Sequence, residues 1–143
     1  MDGCHEKVVL AGFTLITDPE TSRILIVHNR RGDWSLPGGA REQGETLAET
    51  AIRETAEEAG VTVKINKLVA VKEAKTNGRQ PHAVFFRFAA DIVEGTPHVV
   101  RPNEISEVKW VTIDEANDVV SYTAVDHAIL ASFEAMYLTE RWS

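Results

Sequence analysis

Apolar, β-branched stretches that read as strands alternate along this chain with stretches whose apolar residues share one helical face. Lys7 to Thr17 and Arg23 to His28 read as strands separated by the turn Asp18-Pro19-Glu20-Thr21-Ser22. Pro37, Gly38 and Gly39 mark a second turn. Thr46 and Glu49 form a capping box, and Gly60 suits the left-handed position past a helix end, which predicts a helix from Leu47 to Ala59. Thr62 to Lys75 and Pro81 to Val93 read as long strands joined by a hairpin turn at Asn77-Gly78. Glu107 to Val111 is a further strand, and a second capping box at Thr112 and Glu115 opens a short helix near Asp114 to Val120. A last helix starts near Thr123 and turns Val125, Ala128, Ile129, Ser132, Phe133 and Met136 to one side. No repeat, low-complexity stretch or linker interrupts the 143 residues, which predicts one α/β layered domain over 1–143.

The predicted helix at Leu47 to Ala59 carries an anomaly in its polar pattern. At about 100° per residue from Leu47, the residues Ala51, Thr55, Ala48, Ala59 and Ile52 fall between about 40° and 140° and form the buried stripe. Glu49 and Arg53 fall near 200° and 240°, toward solvent. Glu57, Glu54 and Glu58 fall at about 280°, 340° and 20°, so Glu58 sits between Leu47 and Ala51, where an ordinary amphipathic helix places an apolar residue. These acids repel one another, and desolvation at a partly buried edge adds to the cost. A hard dication with oxygen ligands, Mg2+ or Mn2+, would remove that cost. The competing reading from spacing alone is a solvated acidic helix held by Glu49–Arg53 and Arg53–Glu57 pairs.

Composition narrows the class. Hydrophobic residues at 43% and charged residues at 26% are ordinary for a soluble globular domain. No apolar run approaches the ~18 residues of a membrane span, and the N-terminus shows no basic-then-apolar leader. The single cysteine, Cys4, excludes an intrachain disulfide and fits a reducing compartment, so a cytoplasmic location is expected. A net charge of −7 argues against binding duplex nucleic acid. It is compatible with a phosphate substrate only if bound dications reverse the local sign at the acidic helix.

Gly39, Glu45, Arg53-Glu54, Glu57-Glu58 and Gly60-Val61 keep a fixed spacing. By that spacing the chain resembles the Nudix hydrolase family of the MutT-like kind, whose box is a glycine, five residues, glutamate, seven residues, Arg-Glu, an aliphatic residue, any residue, Glu-Glu, any residue, glycine and an aliphatic residue. The box spans residues 39–61, and Trp34-Ser35-Leu36-Pro37-Gly38-Gly39 resembles its usual entry. Thr55 departs from the pattern, standing where the family has an aliphatic side chain. The resemblance implies a mixed β-sheet between helices, an α/β/α sandwich, with the box helix beside a substrate cleft. It implies Glu57 and Glu58 as the main metal ligands, completed by Glu54 and the Gly38 carbonyl. It also implies Arg53 as the residue orienting a glutamate, and Gly39, Glu45 and Gly60 as structural positions of the motif. The implied cofactor is Mg2+, with Mn2+ as the alternative. The implied reaction is hydrolysis of a nucleoside diphosphate linked to a group X, a small-molecule substrate, and homodimers are common in the family.

Within that frame the general base is open between Glu54 and a later loop carboxylate, Glu104, with Glu107 as its alternative. Arg30 and Arg31, in the loop before Trp34, are candidates for a phosphate tail, against the bland reading of solvated arginines. His28 and Trp34 read as structural, and Phe85, Phe86 and Phe88 as core and sheet surface. A nucleoside triphosphate is the leading substrate. ADP-ribose or a dinucleoside polyphosphate is the alternative, although Asn77 stands where ADP-ribose enzymes of the family carry a proline. A non-catalytic nucleotide sensor would be expected to have lost Glu54, Glu57 or Glu58, and all three are present.

Overall fold

A computed structural model describes residues 7–75, 82–120 and 137–140. The element order is β1 (Val8–Ile16), β2 (Ile24–Asn29), β3 (Trp34–Ser35), β4 (Gly38–Ala40), α1 (Leu47–Ala59), β5 (Thr62–Ala74), β6 (His82–Glu94), β7 (Ile105–Val111) and α2 (Ile113–Val119). The Asn77-Gly78 turn and the helix predicted from Thr123 lie outside the described residues. No helix among the described residues is long and apolar enough to cross a membrane.

The strands form two sheets. One is mixed, in the order β4-β1-β6-β5, with β1 parallel to β6 and antiparallel to β4. The other is antiparallel, in the order β3-β2-β7. Central placement explains the composition of β1: its residues from Ala11 to Ile16 are mostly buried, because neighbours flank it on both edges and layers cover both faces.

Helix α1 occupies the predicted residues. Thr46 and Glu49 exchange both bonds of the capping box, and Gly60 closes the helix in the left-handed conformation at φ 73°. It lies close on β1 because Gly12 has no side chain; a Cβ there would stand 2.7 Å from the Leu47 carbonyl oxygen. Below it, Ala51, Leu68 and Phe88 form one apolar cluster, against which Leu47, Phe86 and Tyr137 pack. Ala59, Val61, Leu25, Val27 and Ile105 belong to a second cluster linking the helix end to the smaller sheet. Each fully buried Leu, Ile or Phe contributes about 1.5–3 kcal/mol to the fold.

Three expectations are corrected. Gly38 and Gly39 are not a turn but most of strand β4, paired Phe13 to Gly38 and Gly12 to Gly39. Glycine is required there by crowding, since a Cβ on Gly38 would meet Phe13 at 2.3 Å and the Gly12 carbonyl oxygen at 2.4 Å. Strand β7 begins at Ile105, before the predicted Glu107, and α2 runs Ile113–Val119 behind its Thr112–Glu115 box. Thr55, the departure from the family pattern, is seated by a polar contact: its hydroxyl lies 2.7 Å from that of Thr14 on β1, and both residues are fully buried.

Candidate active site

The acidic edge of α1 faces β4 and the loops that follow β2 and precede β7. Arg53 was expected to face solvent, and the structure corrects this. Its Nε donates to Glu45 Oε2 at 2.6 Å, Nη2 to Glu45 Oε1 at 3.0 Å and to the Ala40 carbonyl at 3.2 Å, and Nη1 to Glu54 at 2.8 Å and Glu57 at 3.2 Å. The helical wheel misplaced it because segment 41–45 folds back over that face of the helix. Arg41 N donates to the Leu10 carbonyl, Arg41 Nε to the Glu45 carbonyl and Glu42 N to Glu45 Oε1. Glu49 accepts the Thr46 N–H, as the predicted capping box requires.

Thr50 was not singled out in the sequence. It is fully buried and donates to Glu45 Oε1 at 3.0 Å. Glu45 thus accepts bonds from Arg53, Glu42 N–H and Thr50, and the Arg53 guanidinium above all holds its carboxyl down at about 2. The same contacts raise the pKa of Arg53 above its ordinary value, with the Glu45 bond the largest cause.

The other acids face the opposite balance. Glu54 lies directly against Gly39, where a Cβ would stand 2.7 Å from its carboxyl, so a bare backbone is what lets that side chain in. Burial raises the Glu54 pKa, and Glu57 and Glu104 add to this, while Arg53 opposes it. Glu58 Oε1 accepts the Gly38 N–H at 3.0 Å. Burial pushes its carboxyl up to about 8; the Gly38 bond opposes the shift, and the charges of Glu54, Glu104 and Glu57 reinforce it. A carboxyl with so little support for its charge, beside three others, is what a dication would stabilise. The donor set is all oxygen, which suits Mg2+ or Mn2+.

That fit is chemical and not preformed. Among the described residues no three carboxylates or other ligand side chains are arranged to hold an ion together. Glu54 and Glu57 are turned to Arg53, Glu57 also to Arg101, and Glu58 to the Gly38 N–H. The described bond of Gly38 to the acids is made by its N–H, not its carbonyl.

A cavity of about 650 Å³ opens beside these acids. Gly38, Gly39, Glu54 and Glu58 line one end. Phe13 and Phe85, their rings 5.7 Å apart and tilted by 59°, give it an apolar wall. Arg31 and Asp33 lie on its lining, joined by a 2.7 Å ion pair. Arg30 does not line it: the Arg30 side chain donates to the Pro102 carbonyl and its N–H to the Glu104 carbonyl, strapping two loops together. Glu104 is half exposed, 3.8 Å from Arg101, and close enough for its charge to act on Glu54 and Glu58. Glu107 is on β7, opposite His28. His28 bonds Ser106 and stacks at a tilt on Trp34, and Trp34 packs against the core.

Sequence reasoning placed Phe88 in the core, where it is fully buried, but it missed the cavity faces of Phe13 and Phe85. Strand parity held the signal. Phe85 stands an odd number of residues from Phe88 and so faces the other side of the sheet, and Phe13 is its near neighbour on parallel β1.

A mixed sheet carrying, on one face, a helix with the full acidic box defines a Nudix domain. The NUDIX domain model matches residues 8–132, and the chain belongs to that family. It is 35% identical over 106 residues to a Mycobacterium tuberculosis protein named "Putative 8-oxo-dGTP diphosphatase 3", covering 68% of this chain and 48% of that protein. It is 29% identical over 112 residues to a CMP-5'-(N-acetyl-N-hydroxy-3-aminopropyl)phosphonate hydrolase of Streptomyces rubellomurinus, covering 74% of this chain and 53% of the other. The chain thus spans about half the length of the curated relatives it matches. The crystal structure of a MutT NUDIX hydrolase from Burkholderia pseudomallei superposes with a TM-score of 0.70 at 26% identity, over 76% of this chain and 86% of that one. The architecture is accordingly the α/β/α sandwich of Nudix proteins.

Proposed function

We propose that this domain hydrolyses the pyrophosphate linkage of a nucleoside diphosphate-X substrate, with a nucleoside triphosphate as its substrate class, using Mg2+ or Mn2+. The observation that carries the reading is that the Glu54 and Glu58 carboxyls line one open cavity together with the Phe13–Phe85 ring pair. The acid end suits phosphates carried with their dications, and the Phe13–Phe85 wall suits an aromatic base. The relative named for 8-oxo-dGTP supports the triphosphate class.

Glu57 and Glu58 would hold the ion, with Glu54 and the Gly38 carbonyl as further oxygen donors. When bound, the ion neutralises phosphate charge and lowers the pKa of coordinated water. Glu57 must turn from Arg53 and Arg101 to serve, a side-chain motion of picoseconds to nanoseconds at exposed positions. Arg53 orients Glu45, Glu54 and Glu57 through one planar guanidinium. Water attacks a phosphorus of the bridge, the P–O bond to the leaving phosphate breaks, and a carboxylate accepts the water's proton. Glu54 is the better placed base: it lines the cavity and burial raises its pKa, whereas Glu104 is outside the lining. Arg31 is the arginine on the cavity and is assigned to the phosphate tail; Arg30 is assigned to the loop strap.

The test is a release assay for phosphate and pyrophosphate over nucleoside triphosphates, ADP-ribose and dinucleoside polyphosphates with Mg2+ or Mn2+. Turnover of triphosphates above the conjugates is expected, and no turnover of any substrate overturns the reading.

A further inference from the structure

Arg101 is a cation at the acidic edge that the sequence did not mark. Its Nη1 lies 3.3 Å from Glu57 Oε1 and 3.8 Å from Glu104 Oε2. The Arg101 carbonyl accepts the N–H groups of Glu104 and Ile105, both at 2.9 Å, which closes the loop into a turn and keeps the side chain beside the acids. Glu57 Oε1 is shared with Arg53 at 3.2 Å. The two arginines differ in what else holds them. Arg53 is fixed by Glu45, Glu54 and the Ala40 carbonyl, with its side chain 22% exposed. Arg101 is 45% exposed, and its two acid contacts are long. A pair of that kind is weak and exchangeable.

A dication taken up by Glu57 competes with both arginines for that carboxylate. Of the two, Arg101 is the one that can leave without breaking a buried network. We infer that Arg101 is a positioning residue that competes with the ion: it holds and neutralises Glu57 in the ion-free protein and gives it up once Glu57 is taken up as a ligand. The inference rests on the metal reading of Glu57. The exchange costs Arg101 little, because Glu104 remains 3.8 Å from its guanidinium.

The test measures Mn2+ binding by calorimetry and steady-state kinetics on the full chain, in wild type, Arg101→Gln and Arg101→Lys. Loss of the competing cation makes Arg101→Gln bind Mn2+ about two- to fivefold more tightly. The Mn2+ concentration needed for half-maximal turnover falls by the same factor. Arg101→Lys falls between the two in both readouts. Mn2+ affinity that is unchanged or weaker in Arg101→Gln overturns the assignment of Arg101. A wild type that binds no Mn2+ overturns the reading of Glu57 beneath it, so the two failures are told apart.

Discussion

On the Arg53 side of α1, Glu45 accepts two guanidinium bonds, a backbone N–H and the Thr50 hydroxyl, and its carboxyl is held down at about 2. On the Gly38 side, Glu58 accepts the Gly38 N–H across twenty residues of sequence, and its carboxyl is pushed up to about 8. The two glutamates belong to one motif, yet one is a finished structural anchor and the other is a charge without enough support. The contrast shows how a single arginine grades an acidic cluster: Glu45, which takes two of its bonds, builds the frame, and Glu58, to which it makes no described bond, is left for a ligand.

The largest effect should come from the Gly38 side. Glu58→Gln and Glu57→Gln are each expected to lower kcat/KM by about 100-fold or more in the presence of Mg2+, since each removes a charged ligand. Glu58→Gln keeps the acceptor for Gly38 N–H, so its melting temperature at pH 8 without metal should equal or exceed that of wild type. A variant that keeps more than half of the activity would remove that residue from the metal site and erase the contrast with Glu45.

The Arg53 side should answer in stability first. Arg53→Met leaves Glu45 and Glu54 partly buried without their cation, which is expected to cost about 2–3 kcal/mol after allowance for partial exposure. Thermal unfolding of the metal-free protein checks this. A loss of activity with no loss of stability would mean that Arg53 acts on substrate and not as the frame.

Most of this division was legible in the sequence only as far as the motif reached. The Thr46 and Gly60 caps placed α1 to the residue, because capping is local chemistry carried by one or two side chains. The acids were visible because their angular positions conflict with an amphipathic helix. The direction of Arg53 was not legible, since segment 41–45 covers that face and a wheel knows nothing of what folds over it. The strand at Gly38–Ala40 read as a turn because Gly-Gly lacks β-propensity, and its pairing with β1 is a long-range contact. Arg101 and the Phe13–Phe85 wall were missed for the same reason: their meeting depends on register between β1 and β6 and on a loop before β7.

The seat of α1 ties the two sides together, and Thr55 tests it. Thr55→Val strands the buried Thr14 hydroxyl and is expected to cost about 1–2 kcal/mol. Thr14→Val together with Thr55→Val replaces both partners with apolar groups of similar shape, and most of that loss should return in denaturant melts. If the double variant is no better than the sum of the singles, the pair is not coupled, and the departure from the aliphatic motif position is not compensated by Thr14.

The smallest effect is a dependence on pH that runs in opposite directions at the two glutamates. Glu45 is lowered from an ordinary 4.5 to about 2, so its contribution is full above pH 4.5 and is lost as pH falls toward 2. Glu58 is raised from 4.5 to about 8, so the folded protein keeps a proton that the unfolded chain gives up; stability falls as pH rises through that window and levels off above it. The metal-free protein should therefore be most stable in weak acid. A ligand that takes the Glu58 carboxylate competes with the proton, so saturating Mg2+ should raise the melting temperature by a few degrees at pH 8.5 and by less at pH 6. Glu58→Gln should lose that difference between the two pH values. An Mg2+ shift equal at both would mean that the proton on Glu58 and the ion do not share a site, and the Gly38 side would then be as finished as the Arg53 side.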